Sequence, residues 1–441
     1  MKKTFALALA MVFMLGMCSS VAFAQSDDPI TLVVVQKYGS DGRDALVQQL
    51  VYDAGYNYKL EFINTDDGNA YEEKIQLMYQ TGQQIDLLLD IGICAPDFID
   101  SGLVVDLSDY CAEWGDFPLL DQGLIGMCTA YDGKCYSIPI EKFQRILFYR
   151  CDWLAELGYD HAPETWAELY EMSEALMAAD STRFGYSFRG AQGTASMFEQ
   201  TVLGKLDPNI IDPINSWVTT TGYSIADDRF KDLFHEALRE FKYQYTNLAP
   251  PDAITWGYPE MVEGFYSGTT CFLIQTAEVI DTCSSYMVEG TWDTAKLPLD
   301  ANGFAYNSVS AGGLSIVSST LYQDDVWNVI MAVGGYEGSK QFAEFYGTTP
   351  MYAYEEFGNR YYNAYSDIVA NSDTQLSVTN GTNFTVADRE YMSDTGINLD
   401  IVLQEYVSGQ IDEENARQQM LTLYAWVDSS EWCLARRAAA E

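Results

Sequence analysis

The chain runs to 441 residues, with 64 acidic against 24 basic side chains and a formal charge of −40. So negative a surface repels nucleic acid and anionic lipid, which sets both aside as partners. A chain of this length rarely closes over one core, so two lobes are expected.

Lys2 and Lys3 open the chain, and the apolar run from Thr4 to Met17 is short for a membrane span. Ala22-Phe23-Ala24 has the form of a cleavage site, so residues 1–24 read as a signal peptide and the mature protein as exported. Leu15-Gly16-Met17-Cys18 offers a second reading, lipid attachment at Cys18, against which Met17 is bulky. No later segment has enough consecutive apolar residues to cross a bilayer.

Ile30 to Val35 is a fully apolar strand of the kind buried on both faces of a parallel sheet. A polar loop, Lys37 to Arg43, leads into a helix over Ala45 to Ala54. Tyr58 to Asn64 alternates as a second strand, Ala70 to Gln83 has helical period, and Ile85 to Leu89 is a third strand ending at Asp90. This alternation is the α/β doubly wound pattern, in which ligands bind beyond the carboxyl ends of the strands. Lys37, Tyr38, Asp66, Asp67 and Asp90 then share one rim.

Residues 136–157 carry the strongest signal. An apolar segment ends at Pro139, a polar break spans Glu141 to Arg145, and an apolar strand resumes over Ile146 to Tyr149 before a helix near Asp152. Such a break lets a chain cross between two lobes and leave side chains in a cleft. Pro163 is placed in the first turn of the next helix, where a missing N–H costs nothing, and Trp166 to Ala179 has amphipathic period. Phe184 to Phe188 reads as a strand, with Arg189-Gly190-Ala191-Gln192-Gly193 as a loop beyond it. Helices follow over Phe230 to Tyr243 and Met261 to Tyr266. Between them, Pro250 to Tyr258 is a loop holding Trp256 and Tyr258. Cys271 to Ile274 is a strand with Gln275 to Glu278 at its end. Phe304 to Ser310 approaches the strand Ala311 to Val317, which contains Gly312-Gly313; Asp324 to Gly334 and Gln341 to Tyr346 then read as helices before Thr349-Pro350.

The crossover at 136–157, the segment Phe265-Tyr-Ser-Gly268 before an apolar strand, and the double glycine before a helix resemble, in that order, the extracellular solute-binding proteins of ABC importers, in their maltose-binding-like sugar group. The resemblance implies an α/β, two-lobed periplasmic-binding-protein-like fold with three interlobal crossovers. The lobes are expected at 25–143 with 293–345, and at 144–292 with 346–441. Hinges are expected near Ile138–Tyr149, Glu289–Leu299 and Tyr346–Pro350. It also implies a monomer that captures a mono- or oligosaccharide and delivers it to a membrane permease. A peptide, polyamine or metal complex is the alternative ligand class.

The residues themselves support binding over chemistry. The only histidines, His161 and His235, have no nucleophile in an elbow context, and no G-x-S-x-G, H-E-x-x-H or phosphate-binding loop occurs. A glycosidase needs only two carboxylates, so that rival stays open. No calcium loop or zinc spacing is present, and no cofactor is expected. Tyr and Trp, at 31 and 9, suit the flat C–H faces of sugars, although most such rings pack cores. The candidate ligand-binding residues are Tyr38, Asp90, Glu141, Gln144, Arg189, Gln192, Trp256, Tyr258, Glu278, Gly312 and Gly313. Export permits disulfides. Cys128/Cys135, flanking the Asp132-Gly133 turn, and Cys271/Cys283 are the nearest pairs. In a two-residue hairpin, however, Ala130 would face Cys135, and the connectivity stays open.

Overall fold

The structure, a computed structural model, describes residues 29–440 apart from 38, 66–70, 93–95, 121, 131, 213–214, 350, 353–358, 363–373 and 380–385. Within these residues the strands are β1 (Ile30–Gln36), β2 (Tyr58–Asn64), β3 (Leu87–Gly92), β4 (Ile138–Phe143), β5 (Arg145–Tyr149), β6 (Phe184–Tyr186), β7 (Thr270–Thr276), β8 (Asp293–Ala295), β9 (Ala305–Ile316) and β10 (Gln375–Thr379). They form two sheets. The first runs β10-β9-β3-β1-β2 with β4 also on β9; the second runs β6-β7-β5-β8.

The first sheet is doubly wound because its central strands are apolar on both faces. Val34, Leu87 and Leu89 enter one core with Val47, Leu50 and Ile330, while Val35 and Leu88 enter another with Ile75 and Phe98. The helix Asp41–Asp53 starts at Ser40, whose hydroxyl accepts from Arg43 N at 3.3 Å. β1 pairs in parallel with β2 and β3, and β9 runs antiparallel to β3.

The second sheet sits in a larger core. Leu147, Phe148, Phe272 and Ile274 pack there with Phe265 and Trp292, joined by Val402, Leu403 and Met420 of the carboxy-terminal helices Leu399–Val407 and Glu413–Leu423. β8 pairs with β5 in this sheet. β9 serves both bodies: Ala305 and Tyr306 lie in the larger core, Leu314 and Ile316 in the first. The molecule is therefore two-lobed, with the chain passing repeatedly between the lobes.

Several local expectations are corrected. The helix expected to start at Pro163 begins at Trp166, because Thr165 caps it, accepting from Glu168 N at 3.2 Å. The Glu168 carboxylate reaches back to Glu164 N at 2.7 Å. Thr-x-x-Glu is the stronger start signal, since it satisfies two otherwise orphaned donors. β3 does not end at Asp90 but continues to Gly92. The two segments around residue 310 are one strand of 12 residues, because β9 finds partners along its whole length.

Candidate functional site

One residue separates the two sheets at the first passage. β4 ends at Phe143, β5 starts at Arg145, and Gln144 between them is buried. Two other stretches of chain are laced to this point. The Asn307 side chain of β9 accepts from Arg145 N at 2.8 Å and donates to Arg145 O at 2.5 Å, so its amide mimics a backbone rung. Thr349 N donates to Lys142 O at 3.0 Å, just past Gly347, which takes φ 72° at the end of the helix Tyr336–Tyr346. The chain segments around 144, 307 and 348 thus lie side by side.

Polar side chains converge here from the second lobe. Arg145 is buried and donates to Ser196 O at 3.1 Å and Ser196 Oγ at 2.9 Å. Burial pushes its guanidinium pKa down, and the Glu199 carboxylate works against that. Glu199 is itself fully buried on the helix Thr194–Leu203, where it accepts a hydrogen bond from the Ser216 hydroxyl. Desolvation raises its pKa to about 7, with Arg145 and Ser308 pulling the other way. At the end of β7, Glu278 accepts from Tyr258 Oη at 3.1 Å and from Thr276 Oγ1. Burial raises the Glu278 pKa, while Thr276, Tyr258 and Arg145 lower it. Burial and Glu278 push the Tyr258 phenol up. Arg189 lies within electrostatic reach of Tyr258 and Asp400, and its Nε donates to Gln192 O at 2.6 Å. Asp400 in turn accepts from Gly193 N and Ala195 N, both at 2.8 Å, at the start of the Thr194–Leu203 helix, where a carboxylate is favoured.

From the first lobe comes a buried ion pair, Glu141 with Arg43, at 3.9 Å. Arg43 lies over the Phe342 ring. Next to it, β9 carries Gly312 and Gly313 opposite Gly92 and Ile91 on one side and Glu141 and Pro139 on the other. The register skips Asp90 and Ile140, a bulge on each neighbour. Bulges recur beside binding sites because they re-aim the flanking side chains. The glycine pair is extended strand, as part of β9.

Of the residues singled out from sequence, Arg189, Tyr258 and Glu278 are brought together by the fold, and Glu141 and Gln144 stand at the passage beside them. Trp256 packs inward: a Cβ on Gly264 would fall 2.6 Å from its ring, and its Nε1 donates to Asp252 at 3.3 Å. Gln192 is exposed and contributes its carbonyl to Arg189. Tyr38 and Cys18 lie outside the described residues, as does the side chain of Asp90. Arg43, Arg145, Ser196, Glu199 and Asn307 were missed. Arg145 stood in the polar break, a usable signal, whereas Asn307, followed by Ser308 and Ser310, had no local pattern to mark it. Both histidines engage carboxylates away from this point, His161 with Asp160 and Glu168, His235 with Glu413 and Glu414. Among the described residues no group of three or more His, Cys, Asp or Glu is arranged to hold a metal, and no helix is long and apolar enough to cross a membrane.

Two lobes of α/β type, joined by adjacent passages with polar groups between them, define the periplasmic-binding-protein fold. The chain belongs to the bacterial extracellular solute-binding protein family, whose family model matches residues 38–348. Among solved structures it is similar to the maltose-bound MalE3 of T. maritima (TM-score 0.69, 17% identity, covering 90% of this chain and 100% of that one). It is also similar to the sugar-binding protein MalE of Xanthomonas citri (TM-score 0.69, 19% identity, 93% and 99% covered). A chitin oligosaccharide binding protein gives TM-score 0.69 at 16% identity, with 91% and 100% covered. A Brucella abortus (strain 2308) protein described as a binding protein is 21% identical over 145 residues, 33% of this chain and 35% of that relative. The match therefore spans about a third of that curated relative's length.

Proposed function

We propose that this protein is the capturing component of an ABC importer, that it takes a mono- or oligosaccharide, and that it holds the ligand by closing two lobes about the three laced passages. The observation that carries this reading is the convergence of Arg145, Arg189, Tyr258 and Glu278 beside Gln144 and Glu141, where the passages meet. Sugar hydroxyls need both donors and acceptors, and this set offers both. The structural neighbours add support: their ligands include maltose, cycloalternan, tagatose and chitin oligosaccharide.

We place the second passage inside β9, between Tyr306 and Leu314, because those residues belong to different cores. That moves the working boundary from residue 293 to the middle of this strand. Capture requires that ligand bind the closed state better than the open one. The closed monomer then docks on a membrane permease, and the protein reaches it by export, with residues 1–24 removed or Cys18 lipidated. The function is binding and release; no covalent step on the ligand is invoked.

Small-angle scattering with a panel of maltodextrins, chitin oligosaccharides and monosaccharides tests the reading. One or more sugars should reduce the radius of gyration and raise the melting temperature. If no sugar does so while a polyamine or peptide does, the ligand class changes and closure stands. If nothing compacts the protein, closure is lost. Release of reducing sugar from mixed glycans would make it a glycosidase instead.

A further inference from the structure

Three thiols meet in the first lobe, away from the cleft residues. Cys111 lies in the short helix Ser108–Glu113, Cys128 ends the helix Gln122–Cys128, and Cys135 follows the Asp132-Gly133 turn. The register differs from that of a two-residue hairpin. Thr129, not Ala130, stands opposite Cys135, whose sulfur meets that of Cys111, 24 residues away in sequence, at 3.5 Å and also takes a hydrogen bond from Cys128. Two further bonds fix the pair: Leu107 N donates to Cys135 O at 2.6 Å, and Cys135 N donates to Ser108 Oγ at 3.1 Å. All three thiols are buried in the same core.

The geometry points to a disulfide-forming site: Cys111 and Cys135 close to a bond under oxidising conditions and leave Cys128, which also contacts Cys135, as a thiol. Closure brings the sulfurs together by about 1.5 Å, between backbone segments that are already hydrogen-bonded to each other. Hydrogen bonds from Cys111 and Cys128 favour the Cys135 thiolate and lower its pKa, while Cys111, which donates, is pushed up, so Cys135 attacks first. The Cys135 thiolate attacks a sulfur of a small-molecule disulfide and expels one thiolate, leaving a mixed disulfide. Cys111 then gives up its proton and attacks the Cys135 sulfur, expelling the second thiolate. One S–S bond forms in the protein and one breaks in the oxidant. The two protein electrons leave with the two small thiols, which take up the protons. Cross-linking residues 24 apart removes unfolded-state freedom in the loop that joins the Ser108–Glu113 helix to β4.

Reduced full-length protein, refolded in a buffer of oxidised and reduced glutathione and then alkylated, tests this by non-reducing peptide mapping. The expected result is one principal linked peptide joining Cys111 to Cys135, with a melting temperature about 4 °C above that of the reduced protein. Cys128→Ser should keep both the linkage and the shift, and Cys135→Ser should lose the shift. Full alkylation of Cys111 and Cys135, a persistent glutathione adduct on Cys135, linkage of Cys135 to another cysteine, or metal released on alkylation would each overturn the assignment. The wild-type map alone decides the matter if a serine variant fails to fold. Sugar binding plays no part in the readout, so this result and the transport reading stand or fall separately.

Discussion

Glu199 is an acid with no access to solvent, and its position sets a pH dependence for the whole chain. Its pKa in the folded protein is raised from 4.5 to about 7, net of the attraction to Arg145. Between those values the unfolded chain has lost a proton that the folded chain keeps. Stability from this group is therefore complete below about pH 4.5, falls as pH climbs, and is flat above about pH 7. The change amounts to roughly 3 kcal/mol. Asp300, raised to about 8 by burial, acts in the same direction over a window reaching further into the alkaline side. Glu199→Gln keeps an acceptor for the Ser216 hydroxyl and removes the charge. Denaturant melts at pH 5 and pH 8 should then show the variant matching the parent at pH 5 and exceeding it at pH 8. An equal loss of stability with pH in both proteins would refute the burial argument.

At the scale of elements, the fold turns on how β9 is tied to the β4–β5 passage. Asn307 satisfies both main-chain groups of Arg145, and truncating it leaves buried polar groups short of a partner, at about 1–3 kcal/mol each. Asn307→Ala should lower the denaturant midpoint and weaken ligand-driven compaction, because the passages no longer move as one. An unchanged midpoint with unchanged compaction would show that the amide is not part of the hinge. This tie explains what the sequence could and could not disclose. β1 and β3 were readable because Val34/Val35 and Leu87/Leu88 must be apolar on both faces, a local property. The first passage was readable because Glu141 to Arg145 interrupts two apolar strands. The partner of Arg145 lies 162 residues away, and no local pattern names it. Gly312-Gly313 fits a turn as well as a strand until β3 and β4 are seen on either side. Arg189, Tyr258 and Glu278 were legible as loop and strand-end residues; Trp256 looked equally exposed in sequence, yet Gly264 leaves a space that its ring fills.

Among the described residues the two lobes are joined by strand, not by a disposable linker, at the β4–β5 junction and along β9. A linker would let each lobe melt alone. Here the passage is strand, and β9 places Ala305 and Tyr306 in one core and Leu314 and Ile316 in the other. Its first half pairs with β10 and its second with β3 and β4, so melting either lobe strips partners from a strand the other still needs. The β4–β5 junction imposes the same condition one residue apart, since Phe143 pairs in the first sheet and Arg145 in the second. The lobes can rotate about these strands, because a few backbone angles absorb a hinge motion, but they cannot unfold independently. Scanning calorimetry of the reduced, unliganded protein should accordingly give one transition with equal calorimetric and van't Hoff enthalpies. Two resolved transitions, or a calorimetric enthalpy well above the van't Hoff value, would mean that the shared strands do not couple the cores and that the passages behave as ordinary linkers.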